Sequence, residues 1–114
     1  MKTQLTYNLK DFYGSSYTLA PIQDNYAKGN TLAIVLYDVK NDETFDVLTT
    51  NLLYSRELEP DEAFVDTSKK WAINFIEENK LGKKIMRMAI SGFNKYQAYK
   101  FDLAKINQPN VGRK

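Results

Sequence analysis

The chain has 114 residues, a length typical of one folded domain, and 43% of its residues are apolar and 13% aromatic. It contains no Cys and no His, which excludes disulfides, thiolate nucleophiles, Ser-His and Cys-His pairs, and metal sites built on those ligands. The formal net charge of +2 at pH 7 is close to neutral, but the charges are distributed unevenly along the chain.

The first half of the chain is predicted to form four strands. Residues 3–9 alternate apolar and polar side chains, which is the pattern of a half-buried strand, and a second short strand closes at Pro21. Residues 32–37 are continuously apolar, which is typical of a central strand covered on both faces. A hairpin turn then leads to a returning strand within residues 44–53.

An acidic loop is predicted next, around Pro60. Its carboxylates could mimic the phosphate track of a nucleic acid and occupy a basic cleft on a partner protein. The alternative is a solvated loop followed by a helix N-cap. A metal site is disfavoured because the loop has no Gly for the tight turn that such sites use. The candidate partner-binding residues are Glu57, Glu59, Asp61 and Glu62, and Asp66 completes the acidic group.

One main helix is predicted over about 68–81, because apolar residues recur there at helical spacing. Asp66, Thr67 and Ser68 are candidate N-caps, and Gly82 is the expected left-handed cap. Two further strands follow, at about 83–90 and 96–103, and complete the domain.

The order of these elements predicts an α+β fold, in which a curled, mainly antiparallel sheet of about five to six strands carries one main helix on one face. A single helix cannot cover both faces of such a sheet. We therefore expect some apolar sheet surface to stay exposed or to pair in a homodimer. Residues 1–106 are predicted to form one domain, and residues 107–114 a flexible C-terminal tail.

Charge is divided along the chain. Residues 1–66 contain five basic and eleven acidic side chains, a net charge of −6, whereas residues 67–114 contain eleven basic and three acidic side chains, a net charge of +8. Two interpretations are open. The halves form separate charged regions on the surface, or they interleave in one sheet and neutralise each other through cross-strand pairs.

The basic half offers a candidate nucleic-acid-binding surface. Its cations could contact phosphates while Tyr96 or Tyr99 stacks on bases. Salt bridging to the acidic half is the alternative, and the single Arg in this group weakens specific base readout. The basic group also includes Lys80, and the residues assigned to this surface are Lys69, Lys70, Lys83, Lys84, Arg87 and Tyr96.

No catalytic motif is present. Residues 24–30 contain a Gly and a Lys but do not form a phosphate-binding loop, and no Gly-rich strand-to-helix turn occurs elsewhere. The chain is therefore predicted to be no enzyme and to use no cofactor and no metal. The longest apolar run is far shorter than the ~20 residues that span a bilayer, and the N-terminus lacks the apolar segment of a signal peptide, so we expect a soluble cytoplasmic protein.

Four stretches in order carry a resemblance: YGSSYTL, LTTNLL, EAFVDTSKK and ISGFNKYQAYKF. Together they resemble a family of small uncharacterised bacterial proteins carried on plasmids, conjugative elements and phages, over about residues 12–103. The matching positions are Thr49, Asn51 and Leu52, then Phe64, Asp66 and Thr67, then Gly92, Phe93, Tyr96, Tyr99 and Phe101.

The resemblance implies a setting in which small proteins disarm host defence by binding. The leading hypothesis is a non-enzymatic inhibitor of a host defence nuclease of the anti-CRISPR type, acting in the bacterial cytoplasm. In that hypothesis the acidic loop occupies the nucleic-acid-binding surface of the effector, which could be a CRISPR nuclease. The alternative is an accessory protein that binds DNA or RNA directly through its basic half.

Overall fold

The computed structural model describes residues 4–10, 13–25, 31–52 and 57–108. Within these ranges the fold has seven strands and one α-helix, which confirms the predicted α+β class with mainly antiparallel pairing. The strands divide between two sheets instead of forming a single one. The elements are β1 (Tyr7–Lys10), β2 (Ser16–Asn25), β3 (Leu32–Asp38), β4 (Glu43–Val47), β5 (Glu62–Asp66), α1 (Lys70–Glu78), β6 (Gly82–Ser91) and β7 (Asn94–Phe101).

A four-stranded antiparallel sheet contains β1, β2, β3 and β4 in that order. Strand β3 lies inside this sheet, as its continuous apolar run predicts, and Leu32, Ile34 and Leu36 are buried on one of its faces. On the other face Val35 and Tyr37 are only partly buried, so the predicted full coverage of both faces is not observed. The carboxylate of Asp38 accepts hydrogen bonds from both the backbone N–H and the side-chain amide of Asn41, which fixes the turn into β4.

A second, three-stranded antiparallel sheet has the order β5-β7-β6. The prediction of an acidic loop around Pro60 is wrong for residues 62–66, which form strand β5. Ala63, Phe64 and Val65 are at most 3% exposed and pair with β7. The burial of three consecutive apolar residues outweighs the local preference of a Pro- and acid-rich segment for a loop.

Helix α1 begins later than the sequence predicts. Its N-cap is Lys69, and no side chain caps the first turn. The carboxylate of Asp66 instead accepts hydrogen bonds from the backbone N–H and the hydroxyl of Ser68. These predicted caps therefore stabilise the turn between β5 and α1, so the helix starts at Lys70 and not at Ser68.

The end of α1 also differs from the prediction. Lys80 takes the left-handed conformation, with φ of 54°, and Gly82 is already the first residue of β6. Gly82 is required there for close packing, because a Cβ atom would lie 2.9 Å from the carbonyl oxygen of Lys100. Glycine therefore serves here in strand packing and not as a helix cap.

The main hydrophobic core lies between α1 and both sheets. Phe75 and Ile76 of α1 are fully buried against side chains of the four-stranded sheet and of β5 and β7. The ring of Tyr7 meets Phe75 edge-on with centroids 6.4 Å apart. Burial of a side chain such as Phe75 contributes about 1.5–3 kcal/mol, so this contact holds the helix between the sheets.

Asn107 ties the C-terminal segment to the N-terminal one. Its side chain accepts a hydrogen bond from the N–H of Leu5 and donates to the carbonyl oxygens of Leu5 and Pro21, at 2.8–2.9 Å. Asn107 is only 4% exposed, so it belongs to the packed domain, although the sequence predicts it to be the first residue of the flexible tail. Most of that predicted tail, residues 109–114, lies outside the described residues.

None of the helices in the described part of the chain has the length and apolar character needed to cross a membrane.

We predict that Asn107→Ala lowers the free energy of unfolding by about 3 kcal/mol, because the N–H and carbonyl of Leu5 lose their partner and the carbonyl of Pro21 loses one of its two hydrogen bonds from Asn107. Urea unfolding measures this change. Gln108→Ala removes the neighbouring exposed side chain and should change the stability by less than about 0.5 kcal/mol. Equal effects of the two substitutions would contradict this role of Asn107.

Candidate functional site

Two of the four candidate acidic residues form ion pairs inside the domain. Asp61 lies 2.6 Å from the ammonium group of Lys100, and Glu57 lies 3.5 Å from the guanidinium of Arg87. Glu62 stands directly opposite Lys100 across β5 and β7. The acidic and basic halves of the sequence therefore interleave in the three-stranded sheet, which is the second of the two interpretations that the charge pattern left open.

The neighbouring carboxylates change the pKa of Lys100. Its hydrogen bond with Asp61 raises the pKa of the ammonium group, and the nearby charges of Asp61, Glu62 and Glu59 act in the same direction. Exposed pairs of this kind contribute little to stability, but they reduce the negative field at the surface. A docking role for the acidic residues stays a prediction, and Glu59 and Glu62 are the two with no ion pair to a described residue.

The six candidate nucleic-acid-binding residues are not brought together as one surface. Lys69 pairs with Asp46 at 3.6 Å, and Arg87 is held by Glu57. Tyr96 is only 9% exposed and packs in a cluster with Phe64, so little of its ring is accessible to a base. The remaining candidates, Lys70, Lys83 and Lys84, form no ion pair with any residue that the structure describes.

Strand β6 is an edge of the three-stranded sheet and is interrupted by a bulge. The pairing register with β7 shifts between Lys84 and Met88. The side-chain amide of Gln97 donates to the carbonyl oxygens of Ile85 and Arg87, which satisfies backbone groups that the bulge takes out of the ladder. A bulge of this kind re-aims the side chains of the strand, and here Met86 lies within it.

Four large apolar side chains are exposed along the hairpin formed by β6 and β7. Met86 and Phe93 are fully exposed, Ile90 is 68% exposed and Met88 is 57% exposed. Phe93 lies at the tip of the hairpin, after Gly92, whose φ of 64° favours glycine. We call Met86, Met88, Ile90 and Phe93 the apolar hairpin surface.

Sequence reasoning did not single out the apolar hairpin surface, although a signal was present. Met86, Met88 and Ile90 alternate along the predicted strand, as the side chains of one face do. None of them belongs to the main core cluster, in which the buried side chains of α1 pack with those of β5, β7 and the four-stranded sheet. The expectation that one helix leaves apolar sheet surface exposed is met at these residues.

A groove of about 690 Å³ lies between the end of α1 and the start of β6. We call it the lysine groove. Tyr99 is 1% exposed at this groove, and its hydroxyl donates a hydrogen bond to Glu77 at 3.1 Å. Burial, and then the hydrogen bond and negative charge of Glu77, raise the pKa of Tyr99 to about 12. The groove is lined by five lysines, which are Lys80, Lys83, Lys84, Lys100 and Lys105.

Comparison with known proteins places this chain in a family. Residues 21–110 match a domain of unknown function, DUF4313. The chain belongs to the DUF4313 family. The matched region of the DUF4313 chain contains every candidate residue described above, and the match agrees with the predicted resemblance to an uncharacterised family. Neither a curated protein nor a solved structure shows significant similarity to it.

We predict that the DUF4313 chain loses stability above about pH 10 through Tyr99. An unfolded tyrosine ionises near pH 10, whereas folded Tyr99 keeps its proton to about pH 12, so rising pH in this range favours the unfolded state. Tyr99→Phe should cost about 1 kcal/mol at neutral pH by loss of the hydrogen bond to Glu77. This deficit should shrink as the pH rises above about 10.

Urea unfolding at a series of pH values tests this prediction. A difference between the two proteins that stays constant from neutral pH to about pH 11 would show that Tyr99 ionises as readily in the folded as in the unfolded chain.

Proposed function

We propose that this DUF4313 protein acts without catalysis, by binding a protein partner through its apolar hairpin surface. The observation that carries the proposal is the clustering of exposed apolar side chains. Of the six large apolar side chains that are exposed in the described residues, four belong to this one hairpin. A cluster of this kind is typical of a surface that another protein covers.

The residue types of the surface suit protein recognition. Methionine and aromatic residues are enriched at the cores of interfaces, and methionine adapts its shape to irregular pockets. Burial of Met86 or Phe93, which are fully exposed in the free chain, would contribute about 1.5–3 kcal/mol each. These two side chains are therefore the expected anchors of the contact.

The form of β6 favours docking by side chains over the addition of a partner strand. Its register is broken between Lys84 and Met88, and Lys83 and Lys84 are exposed on the strand. Bulges and lysines on an edge strand hinder pairing with a strand from another chain. The partner is thus expected to offer a pocket for Met86 and Phe93.

Inhibition of a host defence nuclease, as in anti-CRISPR proteins, is our proposal for the biological setting, and it rests on the resemblance to proteins of mobile elements. Glu59 and Glu62 have no ion pair with a described residue, which leaves them able to approach a basic nucleic-acid-binding surface. Asp61 and Glu57 are already compensated, so this contact would supplement that of the hairpin.

Photo-crosslinking inside bacterial cells tests which surface binds. A photoreactive phenylalanine analogue in place of Phe93 should crosslink to a partner protein. The same analogue in place of Tyr13, which is 89% exposed but lies outside the hairpin, is the matched control and should not. Equal crosslinking from both positions, none from position 93, or crosslinking only to a second copy of the chain would overturn the proposal.

We further predict that Met86→Asp combined with Phe93→Asp weakens binding to the crosslinked partner by at least about a hundredfold, because both anchors are lost. Glu59→Lys combined with Glu62→Lys should weaken it by about tenfold or less if these residues only supplement the contact. Titration calorimetry with the purified partner measures both. The reverse order of effects would identify the acidic residues as the main site.

A further inference from the structure

The lysine groove concentrates positive charge without matching negative charge. Among its five lysines, Lys100 pairs with Asp61, and the ammonium group of Lys105 donates to the carbonyl oxygen of Lys80 at 3.1 Å. Lys80, Lys83 and Lys84 have no ion pair within the described part of the chain. The groove therefore holds several ammonium groups that no described carboxylate pairs with.

The strand register places two lysines opposite each other, and a bound anion would reduce the repulsion between them. Lys83 of β6 stands directly opposite Lys100 of β7. Like charges directly opposite each other in an antiparallel pair are destabilising. The ion pair between Lys100 and Asp61 reduces this repulsion, but Lys83 has no ion pair with a described residue, so an anion in the groove would stabilise the pair of strands.

The two carboxylates that line the lysine groove accept hydrogen bonds from groups other than the lysines. Glu77 accepts the hydrogen bond of the Tyr99 hydroxyl. Asp102 accepts from the backbone N–H of Ala104 at 3.2 Å and starts the short 3₁₀ turn that follows β7. Neither carboxylate forms an ion pair with a groove lysine among the described residues. The groove consequently remains positive in net charge.

The positive surface continues into a second groove of about 500 Å³ beside α1, which we call the helix-side groove. The two grooves share Lys84 and Tyr99, and the helix-side groove adds Lys70, which has no ion pair with a described residue. Together the two grooves are lined by four lysines that form no ion pair with a described residue, which are Lys70, Lys80, Lys83 and Lys84.

The aromatic residues of the grooves decide what part of a nucleic acid they could recognise. Tyr99 and Phe101 line the lysine groove but are 1% and 2% exposed, so neither ring is available to stack on a base. Lysine binds phosphate as a point charge, and neither groove has an Arg to read a base edge. These side chains suit phosphates and carry no sequence preference.

We propose that the lysine groove and the helix-side groove bind the phosphate backbone of single-stranded nucleic acid without sequence preference. A flexible strand can follow two adjoining grooves, whereas a duplex is stiff over about 50 nm. The site retains Lys70, Lys83 and Lys84 of the sequence-predicted surface and adds Lys80. It excludes Lys69, Arg87 and Tyr96, which are paired or buried. The site meets the apolar hairpin surface at Met88, which lines the helix-side groove, but none of its four lysines belongs to that surface.

Fluorescence anisotropy with a labelled short oligothymidine tests the proposal. Four lysines on single-stranded phosphates predict that the logarithm of the association constant falls with the logarithm of salt concentration with a slope of about −2.8. Lys83→Gln combined with Lys84→Gln should bring the slope to about −1.4. Lys40→Gln combined with Lys95→Gln makes the same change of net charge at exposed lysines outside both grooves and should keep the original slope.

Two further measurements complete the test. Addition of the unlabelled strand should shift the NMR signals of Lys80 and Lys84 but not that of Lys40, and this mapping needs no substitution. No binding at low salt, or an equal loss of slope in both double variants, would overturn the site. Tighter binding of a duplex of equal length, or displacement of the strand by tripolyphosphate at equal phosphate concentration, would overturn its assignment to single strands.

Discussion

The position of β7 in the middle of the three-stranded sheet determines what the surface of this protein offers to a partner. On one side β7 pairs with β5, which brings Glu62 opposite Lys100 and Asp61 within 2.6 Å of it. On the other side β7 pairs with β6, whose outer edge has no neighbouring strand among the described residues. Part of the acidic charge is therefore neutralised beside β7, and basic and apolar side chains lie along the opposite edge of the sheet.

This arrangement places the apolar hairpin surface and the lysine groove at different positions along β6. The apolar hairpin surface, Met86, Met88, Ile90 and Phe93, follows the strand to its tip. The lysine groove lies at the other end of the strand, where Gly82 permits close contact between β6 and Lys100. One edge strand thus combines an expected protein contact with an expected phosphate contact, and substitutions can affect one without the other.

Local patterns in the sequence predicted the elements whose burial follows from their own residues. The continuous apolar run of β3 indicated a central strand, and the stripe that contains Phe75 and Ile76 indicated the helix. Strand β5 was missed because Pro60 and the surrounding carboxylates are typical of a loop, whereas the burial of Phe64 depends on β7, more than 30 residues later. A local pattern contains no information about such a distant partner.

The site was harder to predict than the fold for the same reason. The ion pair between Asp61 and Lys100 joins residues 39 positions apart, so the sequence could not show that the acidic group is partly neutralised. Alternation along residues 83–90 suggested a regular strand, but the bulge is fixed by Gln97 on the neighbouring strand. The sequence pattern already included Lys83 and Lys84 among the basic candidates, whereas the groove that they share with Lys80 arises only from packing.

Engineered disulfides test the strand order β5-β7-β6 most directly, and the absence of native Cys makes the result unambiguous. Glu62→Cys with Lys100→Cys places thiols at directly opposed positions of adjacent strands, within disulfide range, and should crosslink on mild oxidation. Glu62→Cys with Lys83→Cys places them two strands apart, about 10 Å, and should not. A crosslink between positions 62 and 83 without one between 62 and 100 would contradict the internal neutralisation of the acidic strand.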